Sequence, residues 1–210
     1  MTTIYRFDYA LAAADADGIA QTQTPGAAGA LTLNGAFVTS GVAALGTGRS
    51  QRRVLITAVG NDSGRTFTIT GTDGYGRVVT ETVTGPNATT ASSVLNYQTV
   101  TSVTVDAATA GAITVGTSGA GESAMRPMNL YQTPVNISLG FTISGTVNYT
   151  VQHTFDDPFQ TDSGISYFDH SELAAQAAAV DGNYAFPVTG IRVKINSGTG
   201  TVSARLTQGA

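Results

Sequence analysis

A chain of 210 residues is long enough to bury a substantial core, and it fits one large β domain or two small ones. Its net charge of −4 and pI near 4.9 argue against a dedicated nucleic-acid-binding protein, which needs a basic surface. The absence of cysteine excludes disulfide frameworks, thiolate zinc sites and cysteine nucleophiles.

This chain carries unusually little charge for its length. Charged residues make up 11% of it, against about 25% in ordinary globular proteins, and Lys194 is its only lysine. A free monomer uses surface charge for solubility and places lysine on strand edges to prevent edge-to-edge pairing. The composition therefore favours a protein whose surface is covered by other subunits. The alternative is a soluble β protein whose many threonine hydroxyls replace charge.

Residues 1–53 are predicted to form an extended N-terminal arm, because their Ala-rich and Gly-rich runs hold too few large apolar side chains to fold alone. Tyr5, Phe7 and Tyr9 alternate near the start, as in an edge strand or an aromatic anchor on a partner. No signal peptide is visible in residues 1–18, and no stretch predicts a membrane span. We expect assembly in the cytoplasm without a membrane.

Residues 54–117 predict a first antiparallel β module. Its runs are rich in Thr, Val, Ile and Phe, which suit a pleated, half-buried surface. Short Gly- and Asx-rich segments between them supply the backbone conformations that tight reversals require. The predicted strands are Val54–Val59, Thr66–Thr72, Arg77–Thr84, Gln98–Val105 and Ala112–Val115.

Residues 118–133 are predicted as a linker, and residues 134–210 as a second module of β-sandwich or jelly-roll type. Apolar and polar residues alternate strictly along 135–144 and 147–155, and again along 191–195 and 202–206. This period of two indicates strands with one buried and one wet face. The whole chain is therefore predicted to be all-β, with two antiparallel modules that either share a core or have separate ones.

One short helix is predicted between Ser171 and Val180. Ser171 is a suitable N-cap, Glu172 lies in the favourable first turn, and the Ala-rich run that follows ends at Asp181 and Gly182.

The acidic loop after His153 is the only candidate for a metal site, through Asp156, Asp157 and Asp162. Its spacing matches no EF-hand, and Asp-Asp-Pro is ordinary turn chemistry, so no metal is predicted. With two histidines in the chain, no Ser–His–Asp set can be assembled. We therefore predict no catalytic residue and no cofactor.

The basic residues near the C-terminus are candidate partner-binding residues. If the turn at 196–200 closes a hairpin, Arg192 and Arg205 lie opposite one another with Lys194 beside them. Like charges directly opposite are unfavourable, so an acidic group should lie over them. The hypothesis is that an acidic loop of an adjacent subunit, such as 156–162, supplies it; the alternative is a solvated face with screened charges.

Several stretches resemble a recurring module in structural proteins of tailed bacteriophage particles. They are LTLNGA (31–36), RRVLITAVGNDSGRTFTITGTDGYGRVVTETVTGPN (52–87), TVTSVTVDAATAGAITVG (99–116), NYTVQHTFDDPF (148–159) and FPVTGIRVKINSGTGTVSARLTQ (186–208). The resemblance covers most of residues 30–208 and rests on turn-and-strand patterns. It implies a virion component that coats or cements the head shell, or that lies at the neck or tail, and it carries over no catalytic residue.

The expected function is therefore that of a non-enzymatic virion protein, foremost a capsid decoration or cement protein. Its expected partners are the major capsid protein and further copies of itself, such as a trimer on a local threefold axis. One alternative is a head-to-tail connector, neck or tail component. Another is a glycan-binding β-sandwich, which would need exposed aromatics on a concave face; the candidates are Tyr75, Tyr97, Tyr131 and Tyr167.

Overall fold

The computed structural model describes residues 3–131, 135–159 and 164–209. It is 57% strand and 1% helix, so the predicted all-β fold is confirmed.

The strands of the described residues range from two to nine residues in length. The first thirteen are β1 (Thr3–Leu11), β2 (Asp15–Gln23), β3 (Gly29–Ala30), β4 (Val38–Thr39), β5 (Val42–Ala44), β6 (Gly46–Thr47), β7 (Ser50–Gln51), β8 (Val54–Ala58), β9 (Thr66–Thr72), β10 (Val78–Thr84), β11 (Thr90–Ser92), β12 (Thr99–Val105) and β13 (Ile113–Thr117). The others are β14 (Gly121–Ser123), β15 (Arg126–Pro127), β16 (Asn136–Ser144), β17 (Val147–Thr154), β18 (Phe168–Asp169), β19 (Val180–Tyr184), β20 (Gly190–Gly198) and β21 (Thr201–Gly209).

These strands form four antiparallel sheets that pair into two sandwiches. The first sandwich combines the sheet β11-β8-β13-β2 with the sheet β10-β9-β12-β5-β4, in which β3 also pairs with β12. The second sandwich combines β19-β16-β21-β1-β6 with β18-β17-β20-β14-β7, in which β15 also pairs with β20. Each sandwich has its own buried cluster of apolar side chains, so the two do not share one core.

The chain crosses between the sandwiches four times. β1 belongs to the second, β2–β5 to the first, β6 and β7 to the second, β8–β13 to the first and β14–β21 to the second. The prediction of an extended N-terminal arm is therefore wrong, since residues of 1–53 supply strands to both sandwiches. The predicted linker at 118–133 likewise holds β14 and β15. In both stretches the backbone finds its partners in strands far along the chain, which local composition does not reveal.

The alternation in the sequence corresponds to burial in the structure. In β16, Ile137, Leu139 and Phe141 are buried in the second core, while Asn136 and Ser138 face outward. Apolar side chains on one face of a strand bury together when that face packs on a second sheet.

The turn between β9 and β10 is held by one aspartate. The Oδ1 atom of Asp73 accepts hydrogen bonds from the backbone N–H groups of Tyr75 and Arg77, and Gly76 has a φ of +80°. Glycine adopts this left-handed conformation without a Cβ clash, as the sequence predicts for a tight hairpin.

The prediction of a helix within 171–180 is wrong. The segment lies along the edge of β17, where Tyr149 and Gln176 exchange two backbone hydrogen bonds of 2.8 and 2.7 Å. The backbone N–H of Val151 also donates to Leu173 O at 2.9 Å. An open sheet edge offers these backbone groups partners, and burial of Leu173 in the second core fixes the segment there. Tertiary contacts thus override the helix propensity of the alanines.

The turn at residues 196–200 does not close the hairpin on which the expected pairing of Arg192 with Arg205 depended. β20 and β21 lie in the two facing sheets of the second sandwich, so the turn is an arch between sheets. Thr199 and Gly200 both donate backbone hydrogen bonds to Thr146 O. A glycine-rich turn can reverse the chain within one sheet, as a hairpin, or between two sheets, as an arch. The residue types of the turn therefore do not distinguish the two.

Candidate partner-binding site

The aromatic side chains of β1 are buried in the second core at one end of the strand and exposed at the other. Tyr9 is buried in the second core, Phe7 packs against it, and the exposed fraction of Tyr5 reaches 36%. Their rings are stacked, with centroid distances of 6.0 Å between Tyr5 and Phe7 and 6.2 Å between Phe7 and Tyr9. A role as a partner anchor therefore stays open only for the Tyr5 end of the strand.

The outer edge of β1 is only partly paired. β21 pairs with this strand from Thr3 to Ala10, whereas on the other side β6 pairs only with Ala10 and Leu11. Within the described residues, the edge before Ala10 has no strand beside it. A strand edge with unpaired backbone groups is a template for another chain.

A groove lined by arginines lies along this edge. It has a volume of about 400 Å³ and is lined by Arg6, Phe7, Asp8, Gly48, Arg49 and Arg126. We call it the arginine groove. The guanidinium carbon of Arg126 lies 3.8 Å from the centroid of the Phe7 ring, and its buried Nε has no hydrogen-bond partner among the described residues. Three cations against one carboxylate make the groove a site for acidic groups.

Three phenylalanines form an exposed aromatic surface beside β18. The exposed fractions of Phe155, Phe168 and Phe186 are 53%, 48% and 46%. The ring centroid of Phe155 lies 5.6 Å from that of Phe168 and 6.2 Å from that of Phe186. We call these residues the phenylalanine patch. Its open area is about 300 Å² if each ring carries about 200 Å², which is at the scale where an apolar patch is often functional.

Both histidines and a tyrosine form a series of ring contacts that begins at the phenylalanine patch. The His153 ring lies 5.3–5.9 Å from the rings of all three phenylalanines, and Tyr184 packs between His153 and His170 at 5.0 and 4.8 Å. Burial, and then the charge of His170, lower the pKa of His153 below its ordinary value, while Asp169 opposes the shift. A neutral His153 therefore supports the patch at neutral pH.

Acidic residues lie beside the phenylalanine patch. Asp169 and Glu172 line a cavity of about 340 Å³ together with Phe186, and Asp157 lies two residues after Phe155 in the loop. All three carboxylates belong to exposed residues. We call them the acidic rim. The patch thus combines an apolar centre with a negatively charged border.

Arg192 and Arg205 are not opposite one another, so that prediction is wrong. Arg205 is exposed in β21, where its actual neighbour across the ladder is Arg6 of β1. Arg192 is buried in β20 of the other sheet, and Lys194 is exposed in the same strand. A like-charge pair across a ladder does exist, but it is between Arg6, which lines the arginine groove, and Arg205 of β21.

Arg192 is the centre of a buried polar network. Its Nη1 lies 2.7 Å from Glu122 Oε1, with side-chain exposures of 9% for both, and its Nε donates to Gln152 Oε1 at 2.8 Å. Gln152 Nε2 donates in turn to Asp169, and Asn96 Nδ2 donates to Glu122 at 2.9 Å. Since Asn96 belongs to the first sandwich, this network joins the two sandwiches.

A cleft of about 510 Å³ opens beside this network. Arg53, Leu55 and Asn96 line it from the first sandwich, and Glu122 and Lys194 line it from the second. Arg192 therefore has a structural role, and only Lys194 among the predicted basic residues of β20 faces solvent.

The four tyrosines considered for glycan binding do not form one surface. Tyr97 is fully buried, the Tyr75 hydroxyl donates to Met125 O, and Arg192 lies 3.2 Å over the Tyr167 ring. Tyr131 is 98% exposed. The exposed aromatic surface is instead built from phenylalanines that the sequence reasoning missed. The only local signal was the proximity of Phe155 and Phe186 to the prolines Pro158 and Pro187, and Phe168 had none.

The acidic loop uses its carboxylates for turn structure. Asp156 Oδ2 accepts from Ser166 N, and Asp157 Oδ1 accepts from Phe159 N. Asp162 lies outside the described residues. Within those residues, no group of three or more His, Asp or Glu side chains is arranged to hold a metal ion.

Comparison of the sequence with protein-family models and with curated proteins finds no match. In the part of the chain that the structure describes, no helix has the length and apolar character needed to cross a membrane.

Proposed function

We propose that this chain is a non-enzymatic structural protein of a bacteriophage particle, foremost a capsid decoration protein that bridges and stabilises neighbouring major capsid subunits. The proposal rests on a chain with only 11% charged residues that exposes two candidate contact surfaces, the phenylalanine patch and the arginine groove. The resemblance of the strand and turn patterns to phage structural proteins supports the same assignment.

In this role the protein reinforces the shell mechanically. Two sandwiches with separate cores, joined by a buried polar network, form a stiff unit that can span neighbouring subunits. Apolar and hydrogen-bonded contacts of modest strength suffice, because repetition on a symmetric shell supplies avidity. The major capsid protein and further copies of the chain are the proposed partners.

The test is to quantify the chain in purified particles of the phage that encodes it, by gel densitometry against the major capsid protein. A decoration protein is present in hundreds of copies, whereas about a dozen or fewer indicate a neck or tail component, which often has cyclic symmetry. Absence from particles, with the chain found as a free species in infected cells, contradicts the virion role altogether.

A further inference from the structure

The phenylalanine patch and the arginine groove lie on opposite edges of the second sandwich. β18 and β19, which carry Phe168 and Tyr184, are the strands at one edge of the two sheets. β1, with β6 beyond it, lies at the other edge of its sheet. Three strand spacings separate β19 from β1, a distance of about 14 Å. One copy therefore cannot bring its own two surfaces together.

We propose that copies of this chain associate head to tail, with the phenylalanine patch of one copy in the arginine groove of the next. The inference rests on the proposed structural role, in which copies are neighbours on a shell. It names the two surfaces through which they meet.

The two surfaces are complementary in chemistry. The groove offers guanidinium groups and the flank of Phe7, and arginine stacks well on aromatic rings. The patch offers three half-exposed phenyl rings, and the acidic rim of Asp157, Asp169 and Glu172 offers carboxylates to the arginines. The groove cations Arg6 and Arg49, both of them exposed, gain from such carboxylates.

Electrostatic repulsion also argues against the two symmetric contacts, in which like surfaces of two copies meet. Patch against patch brings two acidic rims together, and groove against groove brings two sets of arginines together. Both arrangements place like charges face to face. The contact that avoids this repulsion joins two different surfaces. Such a contact produces a ring when the rotation that relates successive copies returns to the first copy.

The experiment is sedimentation of the full chain at increasing concentration, with one variant for each surface. The patch variant is Phe168→Ser with Phe186→Ser. The groove variant is Arg6→Glu with Arg49→Asp, because Asp tolerates the positive φ of 76° at residue 49. The wild-type chain self-associates, and each variant raises the dissociation constant at least about tenfold.

Mixing the two variants gives the decisive result. Each variant keeps the surface that the other has lost, so an equimolar mixture forms a one-to-one dimer and nothing larger. Val78→Thr and Arg53→Glu, exposed residues outside both surfaces, serve as matched controls that leave association unchanged, and circular dichroism confirms folding.

Three outcomes overturn the proposal: a wild-type chain that is monomeric at every concentration, a patch or groove variant that associates normally, and a variant mixture without dimer. The proposed function fails separately. A chain that self-associates as described but is missing from particles contradicts the virion role and leaves the head-to-tail contact intact.

Discussion

Replacing Glu122 by glutamine tests whether the buried network joins the two sandwiches. Glu122→Gln keeps the size of the side chain but removes its charge, which leaves the Arg192 guanidinium uncompensated. Glu122 Oε1 accepts from Arg192 at 2.7 Å and from Asn96 at 2.9 Å, and both partners of the ion pair have 9% exposed side chains. Breaking a buried ion pair by removing one partner costs about 3–5 kcal/mol.

We expect a loss near the lower end, about 3 kcal/mol, because the amide oxygen of glutamine still accepts a hydrogen bond. For a chain of this size that corresponds to a fall in melting temperature of about 10 °C. Urea unfolding followed by circular dichroism gives the free energy of unfolding, and differential scanning calorimetry gives the melting temperature.

Two further variants make the measurement specific. Asp8→Asn alters an exposed ion pair, in which Arg6 and Asp8 approach only to 4.0 Å, and should cost less than about 1 kcal/mol. Arg192→Met combined with Glu122→Leu removes both buried charges and should be less destabilising than Glu122→Gln alone. A cost for Glu122→Gln no larger than that of Asp8→Asn would refute the reasoning, since the carboxylate would then be effectively solvated.

The remaining predictions concern pH, packing and the N-terminal strands. Because the pKa of His153 is lowered on folding, the stability that this residue contributes is complete above its ordinary pKa of 6.5 and is lost as the pH falls below that value. The free energy of unfolding in urea should therefore depend less on pH in His153→Gln than in the wild type. Identical pH profiles would contradict this. Ile69→Ala in the first core should cost about 2–5 kcal/mol in urea unfolding, far more than Val78→Thr at the surface, and equal costs would contradict the packing. Deleting residues 3–23 removes β1 and β2 from both sandwiches, so circular dichroism should show no folded chain; a folded, soluble truncation would contradict the topology.

The sequence predicts individual strands well where alternation and turn chemistry agree. β9 has the predicted bounds, and β8, β10, β12 and β13 differ from prediction by one or two residues at an end. In these segments the local pattern and the tertiary burial favour the same backbone conformation. β1 was expected only as one of two alternatives and β2 was missed, because both strands are defined by partners distant in sequence.

The candidate site was less predictable for the same reason. The pairing of Arg6 with Arg205 joins the first strand to the last, and the phenylalanine patch brings together residues from a loop, an edge strand and the segment after β19. Phe155 fits the inward-facing alternation of β17, yet the strand ends at Thr154 and the ring faces outward. Period-two patterns identify which face of a strand is apolar, but not where the strand ends.

The pairing of β1 with β21 sets the order in which a nascent chain can fold. Thr3 pairs with Gln208, so β1 waits for its neighbour until nearly all of the described chain has left the ribosome. The first sandwich is complete once β13 has been synthesised. Closing such a long loop is slow, and during this interval a strand with three aromatic side chains stays exposed. Because the first strand is completed by the last, we expect expression of this chain to depend on chaperones.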